Sequence, residues 1–196
     1  MSQLFYSTSG NFSNFNEPIG CWDVSSVITM DQIFRNAINF NQAISNWNVS
    51  RVIKMNSMFR GASKFNQAIS NWDVSKVTTM SYMFHSAINF NQPVGDWDVS
   101  RVTTMSYLFR GARDFNQPIG KWNVNKVNYM SYMLQQATSF NQDLCAWFGT
   151  MQSTTTVTSM FGSSGCANPV SPDLTTKSSF CQPCQGKQHI YLFRQS

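Results

Sequence analysis

Cysteine is the residue type in this chain with the most chemistry to offer. Four of the five, Cys145, Cys166, Cys181 and Cys184, cluster toward the C-terminal end, two of them in the spacing Cys181-Gln-Pro-Cys184. A C-x-x-C can supply half of a tetrahedral zinc site, and the four thiols together could hold one ion. It can also work as a redox dithiol, but no strand-to-helix redox context surrounds it. Disulfides pinning an exposed end of a core are the expectation, with zinc and free thiols as alternatives; four cysteines allow three pairings and the spacing does not choose. Disulfides would imply an oxidising compartment. Cys21 stands apart, in a column held elsewhere by Asn46, Asn71, Asp96 and Lys121, and is expected to be an exposed single thiol.

Catalysis finds little else to use. The two histidines, His85 and His189, have no evident second partner for a triad or a metal site. Neither a phosphate-binding glycine loop nor a nucleophile elbow is present. The chain is therefore not expected to be an enzyme, and no catalytic residue, cofactor or metal is assigned.

What must position these residues is a repeat. Every tryptophan falls on a 25-residue period, at 22, 47, 72, 97, 122 and 147, and Phe-Asn opens a unit at 15, 40, 65, 90, 115 and 140. Such self-similarity marks a linear array whose units bury their apolar faces against one another. The division expected is a repeat domain over 1–161, with a partial first unit at 1–14, five full units at 15–139 and an irregular last unit at 140–161. A cysteine-containing cap and tail follows at 162–196.

Within the unit Phe40 to Lys64, apolar residues recur at Val52, Met55, Met58, Phe59 and Ala62, the stripe of a short helix. Ser50 precedes it as a candidate cap, and Gly61 and Gly111 fall where such helices would stop. Trp47-Asn48-Val49 reads as a very short strand. One parallel strand and one helix per unit, joined by right-handed crossovers, predict an α/β solenoid, with a parallel β-helix as the alternative. The tryptophans Trp47, Trp72, Trp97 and Trp122 and the methionine column are assigned to the core. Asn41, Asn66, Asn91 and Asn116 are expected to form a buried ladder, each amide bonding the backbone of its own turn and the next.

Binding candidates are the outward columns. One is Asp23, Asn48, Asp73, Asp98 and Asn123; three residues further on come Arg51, Lys76, Arg101 and Lys126. Rows of opposite sign would partly neutralise each other, as a salt-bridged surface or as an extended polar groove. Tyr82, Tyr107 and Tyr132 form another stripe, beside Arg60, His85 and Arg110, suited to anchoring a partner or to packing between units. The net charge of +5 is spread over 196 residues without a basic run, so nucleic acid is not an expected partner. No stretch approaches the roughly 20 apolar residues of a membrane span. No signal peptide is evident. Because Met1-Ser-Gln-Leu-Phe5 matches Met80-Ser-Tyr-Met-Phe84, the chain is read as starting mid-unit within a longer protein.

The pattern Phe-Asn-Gln-x-Ile-x-x-Trp-Asx-Val-Ser-x-Val-x-x-Met-x-x-Met-Phe-x-x-Ala resembles the 25- to 26-residue bacterial surface protein repeats of mycoplasma lipoprotein-associated proteins, and looks like a relative of the BspA-like leucine-rich repeats. The resemblance covers residues 1 to about 161. It implies a leucine-rich-repeat-like solenoid, an extracellular or cell-surface setting and adhesion. The function expected is a non-enzymatic module binding a protein or glycan ligand, with a structural spacer or coat unit as the alternative.

Overall fold

The structure, a computed structural model, describes residues 12–174 and 180–184. Most of the partial first unit, His189 and the end of the tail lie outside the described residues. The repeat closes on itself every 25 residues, but not as a strand and a helix. Among the described residues the only regular elements are two 3₁₀ turns, Phe12–Asn14 and Cys145–Gly149. This overturns the α/β architecture, both as a leucine-rich-repeat-like solenoid and as a parallel β-helix.

The stretch expected to be helical shows why. Met80, Tyr82, Phe84 and Ser86 donate their amides to Thr104, Ser106, Leu108 and Arg110 of the next unit, at 3.1, 3.0, 2.9 and 2.7 Å. Met83, His85 and Ala87 donate three residues back, to Met80, Tyr82 and Phe84, and Ser81 donates to the Asn56 Oδ1 of the preceding unit. An α-helix would spend every amide on its own i−4 carbonyl. Here some close tight turns and the others tie one coil to the next. A 12-residue helix has little stability of its own, and Thr78, Thr79, Ser81, Tyr82 and Ser86 are at best middling helix formers, so the cross-coil bonds win.

Successive turns place Tyr82 (φ 61°) and Ser86 (φ 57°) in the left-handed region, as do Gln32, Ser57, Tyr107 and Tyr132 in the first column and Asn36 and Gln136 in the second. Gly61 (φ 73°) and Gly111 (φ 68°) occupy the second column too, where glycine adopts that conformation without strain. They are turn residues inside the stripe and not helix stops.

The expected strand also dissolves into turns. Trp72 donates back to Ile69 and Val77 to Val74. Parallel pairing survives at one position per unit, Thr29, Lys54, Thr79, Thr104, Tyr129 and Thr156, as isolated bridges. The core runs through the middle of the stack. Phe40, Phe65, Phe90, Phe115 and Phe140 stack at 5.8 to 6.0 Å between ring centroids. A second row, Phe59, Phe84 and Phe109, lies against it at 3.8 to 3.9 Å. The indole Nε1 of Trp47, Trp72, Trp97 and Trp122 donates to the carbonyl of Ile19, Ile44, Ile69 and Val94 in the preceding coil. Each of these four tryptophans thereby satisfies its one donor across the coil boundary.

At the C-terminal end the stack is closed by a different device. Cys145 pairs with Cys184 and Cys166 with Cys181. Phe180 and Cys181 are buried, and Phe180 stacks on Phe148 at 4.7 Å.

Candidate functional site

Each outward column is built by the turn that carries it. Asp23, Asn48, Asp73, Asp98 and Asn123 are exposed, and each turns its Oδ1 back to accept the amide of the residue two ahead, at 2.9 to 3.2 Å. Asn48 and Asp73 also accept the Ser50 and Ser75 hydroxyls at 2.7 and 2.6 Å. The serines expected to cap helices by accepting thus act as donors to an Asx turn. These bonds from serine hydroxyl and amide hold the carboxyls of Asp23, Asp73 and Asp98 below the usual carboxylate range.

The row Arg51, Lys76, Arg101 and Lys126 is exposed, and its side chains make no hydrogen bond or ion pair among the described residues. The one ion pair there joins Lys121 and Asp96 at 3.8 Å, both highly exposed. No ion pair within 4.0 Å joins the two rows among the described residues; Lys76 and Arg101 act on Asp73 and Asp98 through space, while each carboxylate turns its Oδ1 to its own turn.

The tyrosine column behaves differently. Tyr82, Tyr107 and Tyr132 are half-buried and stack nearly parallel, 4.4 and 4.8 Å apart. The left-handed backbone at each of them sets this alignment. The guanidinium of Arg60 lies 5.3 Å from the Tyr82 ring, and that of Arg110 lies 5.6 and 6.0 Å from Tyr107 and Tyr132. His85 sits between the two arginines in the same column, with Nδ1 3.1 Å from the Ser86 hydroxyl. Burial first, then Arg60 and Arg110, push its pKa below the ordinary 6.5. A depressed histidine favours folding while neutral, so this contribution is present above pH 6.5 and is lost as pH falls through the folded value. Melting curves from pH 7.5 to 5 should show a larger acid loss in the native chain than in His85→Gln; equal slopes would remove the effect.

The asparagine column forms a ladder, but on the surface. Each Oδ1 accepts the amide of the next asparagine, from Asn16–Asn41 through Asn66, Asn91 and Asn116 to Asn141, at 2.8 to 3.0 Å. Asn41 is exposed and Asn66, Asn91 and Asn116 are half-buried, which corrects the expected burial. The neighbouring glutamines, not singled out by sequence, complete it: Gln92, Gln117 and Gln142 donate Nε2 to both the carbonyl and the Oδ1 of the preceding unit's asparagine. Gln182 of the C-terminal segment makes the same pair of bonds to Asn141, taking the place of a further unit. Asn91→Leu would strand the Asn116 amide and leave Gln117 Nε2 only the backbone carbonyl of residue 91, and should cost about 1–3 kcal/mol in a urea titration; an unchanged midpoint would show the ladder to be incidental.

The disulfides consume Cys181 and Cys184 separately, so the C-x-x-C is neither a dithiol nor half of a zinc site. Cys21 is exposed and unpaired. Among the described residues no helix is long and apolar enough to cross a membrane.

No curated protein matches the chain. The sequence model described as "Mycoplasma protein of unknown function, DUF285" matches it twice, over residues 1–97 and 68–171. That match supports the Mycoplasma repeat family and not the relationship to BspA-like leucine-rich repeats, whose strand-and-helix unit is also missing from the fold. The chain belongs to the DUF285 family.

Proposed function

We propose that the chain is a non-enzymatic binding module that engages a protein or glycan along the axis of its stack. The observation carrying this reading is the row Tyr82, Tyr107 and Tyr132 with Arg60 and Arg110 beside it. The Phe, Met, Trp and Val columns are spent on packing, and the Asn, Gln and Asp columns on hydrogen bonds that build the coils. The tyrosine and arginine columns are half-open, and aromatic rings with polar tips beside arginine are the commonest anchors of interaction surfaces. The two disulfides support an extracellular or cell-surface setting, since such bonds persist in oxidising compartments.

A panel of surface proteins and glycans, probed with the native chain and with Tyr107→Ser, tests the reading. Serine already occupies this left-handed column at Ser57, so the variant keeps the fold. Retention of a ligand by the native chain and its loss in the variant is the expected result. A panel on which the two chains behave alike would leave the structural spacer as the better description.

A further inference from the structure

The charge around the tyrosine row narrows the class of ligand, on the condition that the binding reading above holds. Arg60, His85 and Arg110 occupy one column in three consecutive units. No carboxylate among the described residues lies within 4.0 Å of either guanidinium. The contacts with Tyr82, Tyr107 and Tyr132 orient the arginines without neutralising them. The Nε–H groups of Arg35, one unit earlier in the column, and of Arg110 are buried without an acceptor. Burial first, and then the charges of Arg60 and Arg110, lower the proton affinity of His85 in the coil between them.

Arg60 and Arg110 stand two coils apart, ~9.6 Å at the ~4.8 Å spacing of backbones joined by cross-coil hydrogen bonds. We propose that Arg60 and Arg110, with the hydroxyls of Tyr82, Tyr107 and Tyr132 beside them, bind a linear acidic polysaccharide carrying a carboxylate or sulfate on alternate sugars. Two cations held two coils apart match a polymer whose charges repeat along an extended axis at that spacing. The guanidinium fork pairs with carboxylate and sulfate oxygens in two parallel hydrogen bonds. Both faces of Tyr82 and Tyr107 are occupied, by neighbouring rings and by Arg60, so at these two a partner meets ring edges and hydroxyls. That weighs against single-stranded nucleic acid, which binds by stacking its bases on open aromatic faces.

The test is calorimetric titration of the full chain at low salt with hyaluronan, chondroitin sulfate, neutral dextran and an oligo-thymidine strand. One of the two acidic polysaccharides should bind at least tenfold more tightly than dextran or the oligonucleotide. Arg60→Gln with Arg110→Gln should weaken that binding at least tenfold in a chain that melting curves show to be folded at the titration temperature; Gln135 holds the same column one unit on. Lys64→Gln with Arg113→Gln removes the same charge from exposed positions outside the candidate columns and should leave it intact. Equal loss in both double variants, no loss in the first, or preference for the oligonucleotide would overturn the proposal. So would binding of no polymer, in which case the protein and glycan panel still decides the broader reading. Dextran bound as tightly, and lost in Tyr107→Ser, would keep the tyrosine row as a binding surface and remove the acidic ligand.

Discussion

Phe84→Ala is expected to destabilise the chain by about 3–5 kcal/mol, the range for emptying a fully buried aromatic site. Phe84 has no exposed surface. Its ring lies 3.9 Å from Phe90 in the same turn, 5.6 and 5.5 Å from Phe59 and Phe109 in the coils on either side, and 6.4 Å from Trp97. Removing it therefore opens both coil boundaries at once. In a linear array, stability is a sum of unit and nearest-neighbour terms, so a defect in the middle weakens two interfaces where an end defect weakens one. Phe15, at the N-terminal end of the described stack, is only partly buried, and Phe15→Ala should cost clearly less. Urea titrations followed by tryptophan fluorescence give both values. A loss below about 1 kcal/mol for Phe84→Ala, within the scatter of surface substitutions, would show that stacking of the phenylalanines does not hold the coils together.

Burial was legible in the sequence and backbone conformation was not. Val77, Met80, Met83, Phe84 and Ala87 are all buried, as a stripe of that spacing requires. The spacing is degenerate, however: a chain that reverses every three or four residues through tight turns brings the same positions inward as a helix does. What separates the two is the direction of the amides, and apolar spacing carries no information about that. The sequence did hold a signal in Asn36, Gly61 and Gly111, residues that tolerate positive φ and recur inside the stripe, where a helix disfavours them. The asparagine column repeats without exception, yet repetition reveals a ladder without revealing its depth, and the ladder lies at the surface. The tyrosine row was visible as a column, whereas its stacking followed only from the left-handed backbone beneath it.

The C-terminal end shows a further hidden regularity. Phe180-Cys181-Gln182-Pro183-Cys184 repeats Phe90-Asn91-Gln92-Pro93-Val94, with cysteine in place of the ladder asparagine and of the core valine. Its distance from Phe140 breaks the 25-residue period, and the C-x-x-C drew attention to metal and redox chemistry. Gln182 still makes the glutamine's bonds, to Asn141, so the segment closes the stack by imitating the opening of a unit.

Cys145→Ser with Cys184→Ser should consequently cost about 4 kcal/mol, the chain-entropy value for a bridge across a separation of 39 residues. Cys166→Ser with Cys181→Ser, across 15 residues, should cost about 3 kcal/mol on the same model. Losing the longer bridge frees the segment that covers the last coil, where Leu144 and Trp147 are fully buried. The Trp147 indole Nε1 also lacks the carbonyl partner that Trp47, Trp72, Trp97 and Trp122 have in the preceding coil, so this coil depends more on its cover. The first effect should accordingly be local. Hydrogen exchange should quicken over 140–161 before it changes at Met80–Ala87, and the emission of Trp147, isolated by replacing the other tryptophans with phenylalanine, should shift red under reductant. Exchange rising uniformly along all the coils would mean that the bridges stabilise the chain by limiting its unfolded state alone, and that the C-terminal segment is not a cap.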